Sequence, residues 1–376
     1  MYRQIRERLS KLLKLPRPPI ILILGMRQVG KTTLAKQLVP VQKLVGFNFD
    51  LLEDRRELAI QERHHLASVA NKYAGRIILI DEVQKMPEVT AVIKHLYDNY
   101  GMKFILTGSS ELRIRKGVGD TLTGRLHEVR LYPLSLEEIN IQSGLTFDKS
   151  SEFCNFEENQ QLILDYLIFG SLPQIQNLKV EEYSDYLKDY VNSLISKDVL
   201  EIAGTRKPGQ VYTLARLLAL QAGQLVNLNE LATLTEFTRE RVYRYLDIFE
   251  QLGMIVRAKP ISTNEREAVT RATKIYFTDL GVRNALVGDF SGWHLRIDRG
   301  QLLENAVFMG IKRRVEYSQT GEDVGFFRSE SGAEIDIVKG KGRNQELFEV
   351  GVGKKVRSRT AGVKIINLEN AQKYLY

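Results

Sequence analysis

The chain alternates between short, densely apolar runs and longer amphipathic stretches. Residues 20–24, 77–80 and 104–106 are apolar throughout, the pattern of strands buried on both faces. Two further strands are predicted at 45–50 and 126–131, with helical periodicity between them. Strands alternating with helices predict an α/β fold, a doubly wound parallel sheet with its ligand at the carboxyl ends of the strands. Ahead of the first strand, Tyr2, Ile5, Leu9 and Leu12 follow helical spacing, and Pro16, Pro18 and Pro19 end that helix.

The grammar changes beyond Glu138. Residues 141–160 are polar and poorly periodic and read as a linker; helical stretches then run to about Ile202. Next come a helix over 211–222, a short helix opening at Asn227 and a third helix capped by Thr238. The third helix carries an apolar stripe of Val242, Leu246, Phe249 and Leu252 and ends at Gly253. Segments 254–260 and 273–277 pair as a hairpin, so the whole predicts a winged helix-turn-helix.

The chemistry concentrates where the first strand ends. Gly25-Met26-Arg27-Gln28-Val29-Gly30-Lys31-Thr32 is a complete G-x-x-x-x-G-K-[ST] loop between an apolar strand and a helix. Its glycines let backbone N–H groups turn inward around phosphates, and the following helix adds its positive dipole end. Candidate nucleotide contacts are Gly25, Arg27, Gln28, Val29, Gly30, Lys31, Thr32 and Thr33, with Lys31 reaching the β- and γ-phosphates. The strand 77–80 runs into Asp81-Glu82. Thr32 and Asp81 are the candidate Mg²⁺ ligands, and Glu82 is the candidate base for the attacking water. The strand 103–106 ends in Thr107-Gly108-Ser109-Ser110 and should lie beside the acidic strand. Ser109 is the first candidate for sensing the γ-phosphate and Thr107 the second. A guanine-reading Asn-Lys-x-Asp is missing; Asn71-Lys72-Tyr73-Ala74 is the nearest approach, so ATP is the expected substrate.

Composition narrows the field. Of 376 residues, 43% are hydrophobic and 27% charged, which excludes a mainly disordered chain. No apolar run approaches the ~20 residues of a spanning helix, and no signal peptide is visible, so no membrane partner and a cytoplasmic location are expected. A single cysteine, Cys154, excludes an intrachain disulfide framework. The formal charge of +8 is uneven: 339–364 holds eight basic residues against Glu346 and Glu349. Such a run suits a polyanion.

The segments GMRQVGKTTL, IDEVQKMP, LTGSS and LTGRLHEVRLYPLSLEE resemble a large prokaryotic family of AAA-type ATPases with an uncharacterised carboxy-terminal region. The similarity continues through DYLIFGSLPQ, KIYFTDLGVRNAL and GQLLENAV. It implies an oligomeric, ATP-driven protein with DNA-associated roles, a hexamer being one candidate assembly. It also implies a helical lid after the ATPase domain and an arginine that reaches a neighbouring subunit's γ-phosphate. Arg125 is the candidate for that arginine, with Arg113 and Arg115 as rivals.

Arg239, Arg241 and Arg244 on the third helix of the winged helix are candidate DNA contacts, together with Lys354, Lys355 and Arg357 in the basic run. Against them, 201–270 is nearly neutral, with nine basic and eight acidic residues. At the carboxy-terminal end, Glu304, Asp336 and Glu349 resemble the acids of a small α/β restriction-endonuclease-like domain. Gly351 stands where that fold carries its water-activating lysine, so the domain is expected to be inactive; Lys354 or Lys355 would have to reach in. The expected organisation is an ATPase domain over 1–143, a helical lid over 155–205, the winged helix over 206–282 and the last domain over 283–376. The expected function is Mg²⁺-dependent ATP hydrolysis by a homo-oligomer, coupled to remodelling of DNA or movement along it. A nucleotide-controlled regulatory switch and an ATP-regulated nuclease are the alternatives.

Overall fold

The computed structural model describes residues 1–109, 122–143, 156–204, 207–261, 273–329, 333–342, 344–353 and 362–375. They form two compact units, Met1–Tyr132 and Pro133–Tyr376.

The first unit contains α1 (Arg6–Leu13), β1 (Ile20–Leu24), α2 (Lys31–Gln37), β2 (Leu44–Asn48), α3 (Leu52–Ala59) and α4 (Arg63–Lys72). It continues with β3 (Ile77–Asp81), α5 (Val89–Tyr100), β4 (Lys103–Gly108) and β5 (Leu126–Arg130). The strands make one sheet in the order β2-β3-β4-β1-β5, and every pairing is parallel. Parallel strands need helical crossovers, which bury both faces, and all five residues of β1 are buried. Ile20, Leu22, Ile78, Ile80, Phe104 and Leu106 pack with Val92, Ile93 and Leu96 of α5. Each such side chain stabilises the fold by roughly 1.5–3 kcal/mol through removal from water.

Two local readings shift. The buried face of α1 is Ile5, Leu9 and Leu13, in steps of four, while Tyr2 is 39% exposed. The helix begins only at Arg6, so Tyr2 never joins its face. The Pro-Leu-Ser-Leu-Glu-Glu segment also acquires a structural role. Ser135 Oγ accepts from the Glu138 N–H, and Glu138 Oε2 from the Ser135 N–H, each at 3.0 Å. This reciprocal cap starts α6 (Leu136–Gln142), which belongs to the second unit.

The second unit continues with α7 (Phe156–Phe169), α8 (Tyr183–Ser193), a π-helical turn over Leu194–Val199 and α9 (Leu200–Ala203). Helix α7 opens inside the stretch read as a linker; Cys154 lies outside the described residues. Three helices follow: α10 (Pro208–Leu220), α11 (Leu228–Thr235) and α12 (Arg239–Gln251). Pro208 at the first turn of α10, where no N–H is needed, starts the helix three residues before Val211. Asn227 caps α11 and Thr238 caps α12. Strands β6 (Ile255–Ala258) and β7 (Lys274–Phe277) then pair antiparallel.

Helices α13 (Leu280–Val287) and α14 (Arg299–Ser318) lead into β8 (Asp323–Arg328), β9 (Glu334–Lys341), β10 (Asn344–Val350), β11 (Val363–Ile366) and α15 (Gln372–Leu375). The sheet order is β11-β10-β9-β8, antiparallel except for the parallel β10–β11 pair. Helix α14 lies against this sheet and against α15.

Gly310 sits at the last of these contacts. A Cβ there would lie 2.0 Å from the Tyr374 carbonyl oxygen. Alanine normally stabilises a helix interior relative to glycine by about 1 kcal/mol. Gly310→Ala should reverse that sign and destabilise by about 1–3 kcal/mol, the usual effect of overpacking. Denaturant midpoints of the two proteins test it, and a rise in the variant would contradict the close approach.

Candidate active site

The loop between β1 and α2 is shaped by residues outside ordinary backbone conformations. Gln28 and Gly30 are left-handed, with φ 62° and 91°, and Gly25 has φ 153°. At Gly25 a Cβ would lie 2.3 Å from the Leu131 carbonyl oxygen, so only glycine fits. Val29 is buried, while Arg27, Gln28 and Thr33 are exposed.

Arg3, 1% exposed, braces the loop from outside and carries no sequence signal. Its guanidinium donates to the Val29 carbonyl and, at 3.1 Å, to the Tyr132 carbonyl. In a trans peptide the C=O and the next N–H point opposite ways. Fixing the Val29 carbonyl therefore fixes the direction of the Gly30 N–H. Lys31 is 5% exposed, and its ammonium donates to the carbonyls of Gly25 and Met26 at 3.0 Å each.

The acidic pair arrives on β3, which β4 separates from β1. The Thr32 hydroxyl nevertheless reaches the Asp81 carboxylate, 2.9 and 2.8 Å from its two oxygens. Thr107, at the end of β4 and fully buried, donates to Asp81 and accepts from the Glu82 N–H at 3.3 Å. Glu82 turns out of the strand with φ 57° and ψ 46°. Its Oε2 accepts from the Ser109 hydroxyl at 3.2 Å and from the Gln84 amide. Lys31, Thr32, Asp81, Glu82, Thr107 and Ser109 thus gather at the carboxyl edge of the sheet. All of them were candidates in the sequence; Gln84 and Arg3 were not.

Arg125 is not part of this group. It precedes β5, and its carbonyl accepts from the Ile20 N–H at the opposite, amino end of β1. Its guanidinium grips Asp98 with two bonds of 2.8 Å, and those bonds hold the Asp98 carboxyl below its ordinary range. Arg113 and Arg115 lie outside the described residues.

In the second unit, Arg239 and Arg244 are exposed on α12. Arg241 is half-buried, with its guanidinium 4.8 Å from the centre of the Phe237 ring. Arg244 reaches the Ala203 carbonyl at 3.4 Å. Lys354, Lys355 and Arg357 lie outside the described residues.

The phosphate-type loop, the neighbouring acidic strand and the all-parallel sheet define a P-loop nucleotide hydrolase. Residues 17–140 match the family model of an AAA domain. This part of the chain is therefore an AAA-type P-loop domain, an ATP hydrolase. Residues 160–292 and 299–375 match two domains of unknown function, DUF8612 and DUF4143. An uncharacterised protein of Methanocaldococcus jannaschii is 25% identical over 342 residues, covering 88% of this chain and 74% of that protein. An uncharacterised Haemophilus influenzae protein is 24% identical over 337 residues, covering 86% and 80%. Among solved structures, the Walker-type ATPase of Pyrococcus abyssi superposes with a TM-score of 0.47 at 17% identity, covering 75% of this chain and 94% of that one.

The remaining carboxylates converge around a lysine that the sequence did not single out. Lys274, on β7 and 2% exposed, donates to Glu304 at 3.1 Å and pairs with Glu334 at 2.7 Å. Tyr276 donates to the same Glu304 oxygen at 2.7 Å. Asp336 accepts from the Val350 N–H at 2.8 Å, next to Glu349 on β10. Gly351 directly follows β10, its N–H bonded to the Ile366 carbonyl of β11 at 2.9 Å. Among the described residues no group of three His, Cys, Asp or Glu side chains is placed to hold a metal ion. Lys274 comes from a strand about thirty residues before Glu304, and Arg328 on β8 also reaches Glu334, at 3.9 Å.

Burial pushes the Glu304 carboxyl up to about 7, against the opposing pull of Lys274. A carboxyl raised on folding favours the folded state while protonated. Its contribution is present below about pH 4.5 and lost as pH rises through about 7. Glu304→Gln should therefore lose less stability than the parent between those two pH values. Denaturant midpoints at each pH measure the difference, and equal losses would show that Glu304 titrates alike in the folded and unfolded chain.

Proposed function

We propose that the chain is a Mg²⁺-dependent ATPase of the cytoplasm that acts as a homo-oligomer and couples hydrolysis to remodelling DNA or moving along it. The observation that carries the proposal is the meeting of Thr32 with Asp81 beside Glu82, with Lys31 buried in the loop mouth. A hydroxyl and a carboxylate side by side form an all-oxygen set that suits Mg²⁺. Thr32 and Asp81 would hold the ion, which when bound offsets the phosphate charge. Lys31 exchanges its two carbonyl partners for phosphate oxygens. Glu82 takes a proton from water, and the hydroxyl of Ser109 lies within reach of the same reaction centre.

Arg125 supports the oligomeric part of this reading. At the amino end of the sheet it lies away from its own loop, so a role in hydrolysis requires a second subunit. The helix-turn-helix with its hairpin supports a winged helix, and the exposed Arg239 and Arg244 supply cations for a DNA backbone. The last domain serves this activity as a platform, since Lys274 is already paired with two of its acids, Glu304 and Glu334.

Glu82→Gln should bind ATP and stall, and Arg125→Ala should also be slow, each by at least ~100-fold in turnover. Mixing the two variants should restore part of the activity, because some interfaces then pair an intact Glu82 with an intact Arg125. Asp98→Ala, which leaves Arg125 in place, should remain active. A stalled mixture in a protein sized as an oligomer would refute the shared site.

DNA should stimulate ATP turnover, and binding should weaken as salt rises. Replacing both Arg239 and Arg244 with alanine should flatten the slope of log K against log salt by about 1.8 if each touches one phosphate. An unchanged slope would remove α12 from the interface.

A further inference from the structure

Glu82 shares its carboxylate with a neighbour whose own amide is half used. Gln84 lies in the single 3-10 turn after β3 and is 6% exposed. Its Nε2 donates to Glu82 Oε2 and lies 3.1 Å from the Ser109 hydroxyl, which itself donates to Glu82. This cycle fixes which end of the amide is which. Turning the amide over would set its oxygen against the carboxylate, acceptor facing acceptor. The Gln84 carbonyl oxygen is therefore the free end, and it is buried with no hydrogen-bond partner among the described residues. A buried acceptor left unpaired is costly and calls for an explanation in the chemistry of the site.

We propose that Gln84 positions both Glu82 and the attacking water. The inference rests on the reading of Glu82 as the base. In hydrolysis the water oxygen bonds to the γ-phosphorus, while the bond to the β–γ bridging oxygen breaks and its electron pair leaves with ADP. One water proton passes to Glu82. The other hydrogen stays on the oxygen and ends on the released phosphate. Until then it needs an acceptor, so that the oxygen's lone pair faces phosphorus. The Gln84 carbonyl, closed to solvent in this structure and meeting the water only as the site rearranges around ATP, is a neutral acceptor joined through its own amide to the carboxylate that takes the first proton. One planar group thus fixes the base and the orientation of the water together.

Gln84→Leu tests this with ATP as substrate. Turnover should fall by ~10- to 100-fold, while KM and nucleotide affinity stay within ~2-fold. Melting temperature should hold or rise, because an apolar side chain of similar size removes the unpaired acceptor. In a Glu82→Gln background the same change should slow turnover no further, since the two residues act as one unit. Gln84→Met, unbranched like glutamine, is the second variant and should behave alike. Parental turnover in Gln84→Leu, a lower melting temperature or failure to fold in both variants, or an additive loss in the double variant would each overturn the proposal. Glu82→Gln on its own separates the two readings. If it hydrolyses ATP at the parental rate, the base assignment falls; if it stalls while Gln84→Leu turns over normally, only the role of Gln84 falls.

Discussion

The contact between Thr32 and Asp81 joins two strands that are not neighbours. Thr32 follows β1, Asp81 ends β3, and β4 runs between them. They meet because a parallel sheet puts every carboxyl end on one edge, and because β1 is followed by a loop that folds back over that edge before α2 begins. The two glycines, left-handed Gln28 and the grip of Arg3 on Val29 all serve to hold this loop. Thr107 on the intervening strand completes the arrangement by bonding to Asp81 and accepting from Glu82. Reordering the strands would leave each motif intact along the chain and scatter the groups in space.

That dependence explains what could be read along the chain and what could not. The loop, the acidic pair and the strands before them are contiguous, and burial on both faces writes itself as unbroken apolar runs. The α12 cap at Thr238 and the α11 cap at Asn227 are local for the same reason. Arg3 to Val29, Arg125 to Asp98 and Lys274 to Glu304 span 26, 27 and 30 residues and follow no repeating spacing. They exist only once the elements have packed. Lys274 gave one weak sign, a charge at the start of an apolar strand. Gln84 lies in the IDEVQKMP segment that carries the family resemblance, but its unpaired oxygen is a property of packing alone. The opening helix shows a smaller failure of the same kind: its period was legible, its starting residue was not.

The carboxy-terminal acids illustrate how position outweighs composition. Glu304, which resembles an acid of a metal centre in sequence, pairs with an ammonium supplied by another strand, as does Glu334. Two carboxylates, Glu304 and Glu334, satisfy the buried Lys274 ammonium, while burial holds the Glu304 carboxyl above its ordinary range.

Lys31 has a comparable consequence for the loop between β1 and α2. Its ammonium rests on two carbonyls of the loop, both charge-assisted bonds in a nearly dry setting. The place of the ammonium is thus set by the fold of the loop itself, so the shape of the backbone and the location of its positive charge are fixed together.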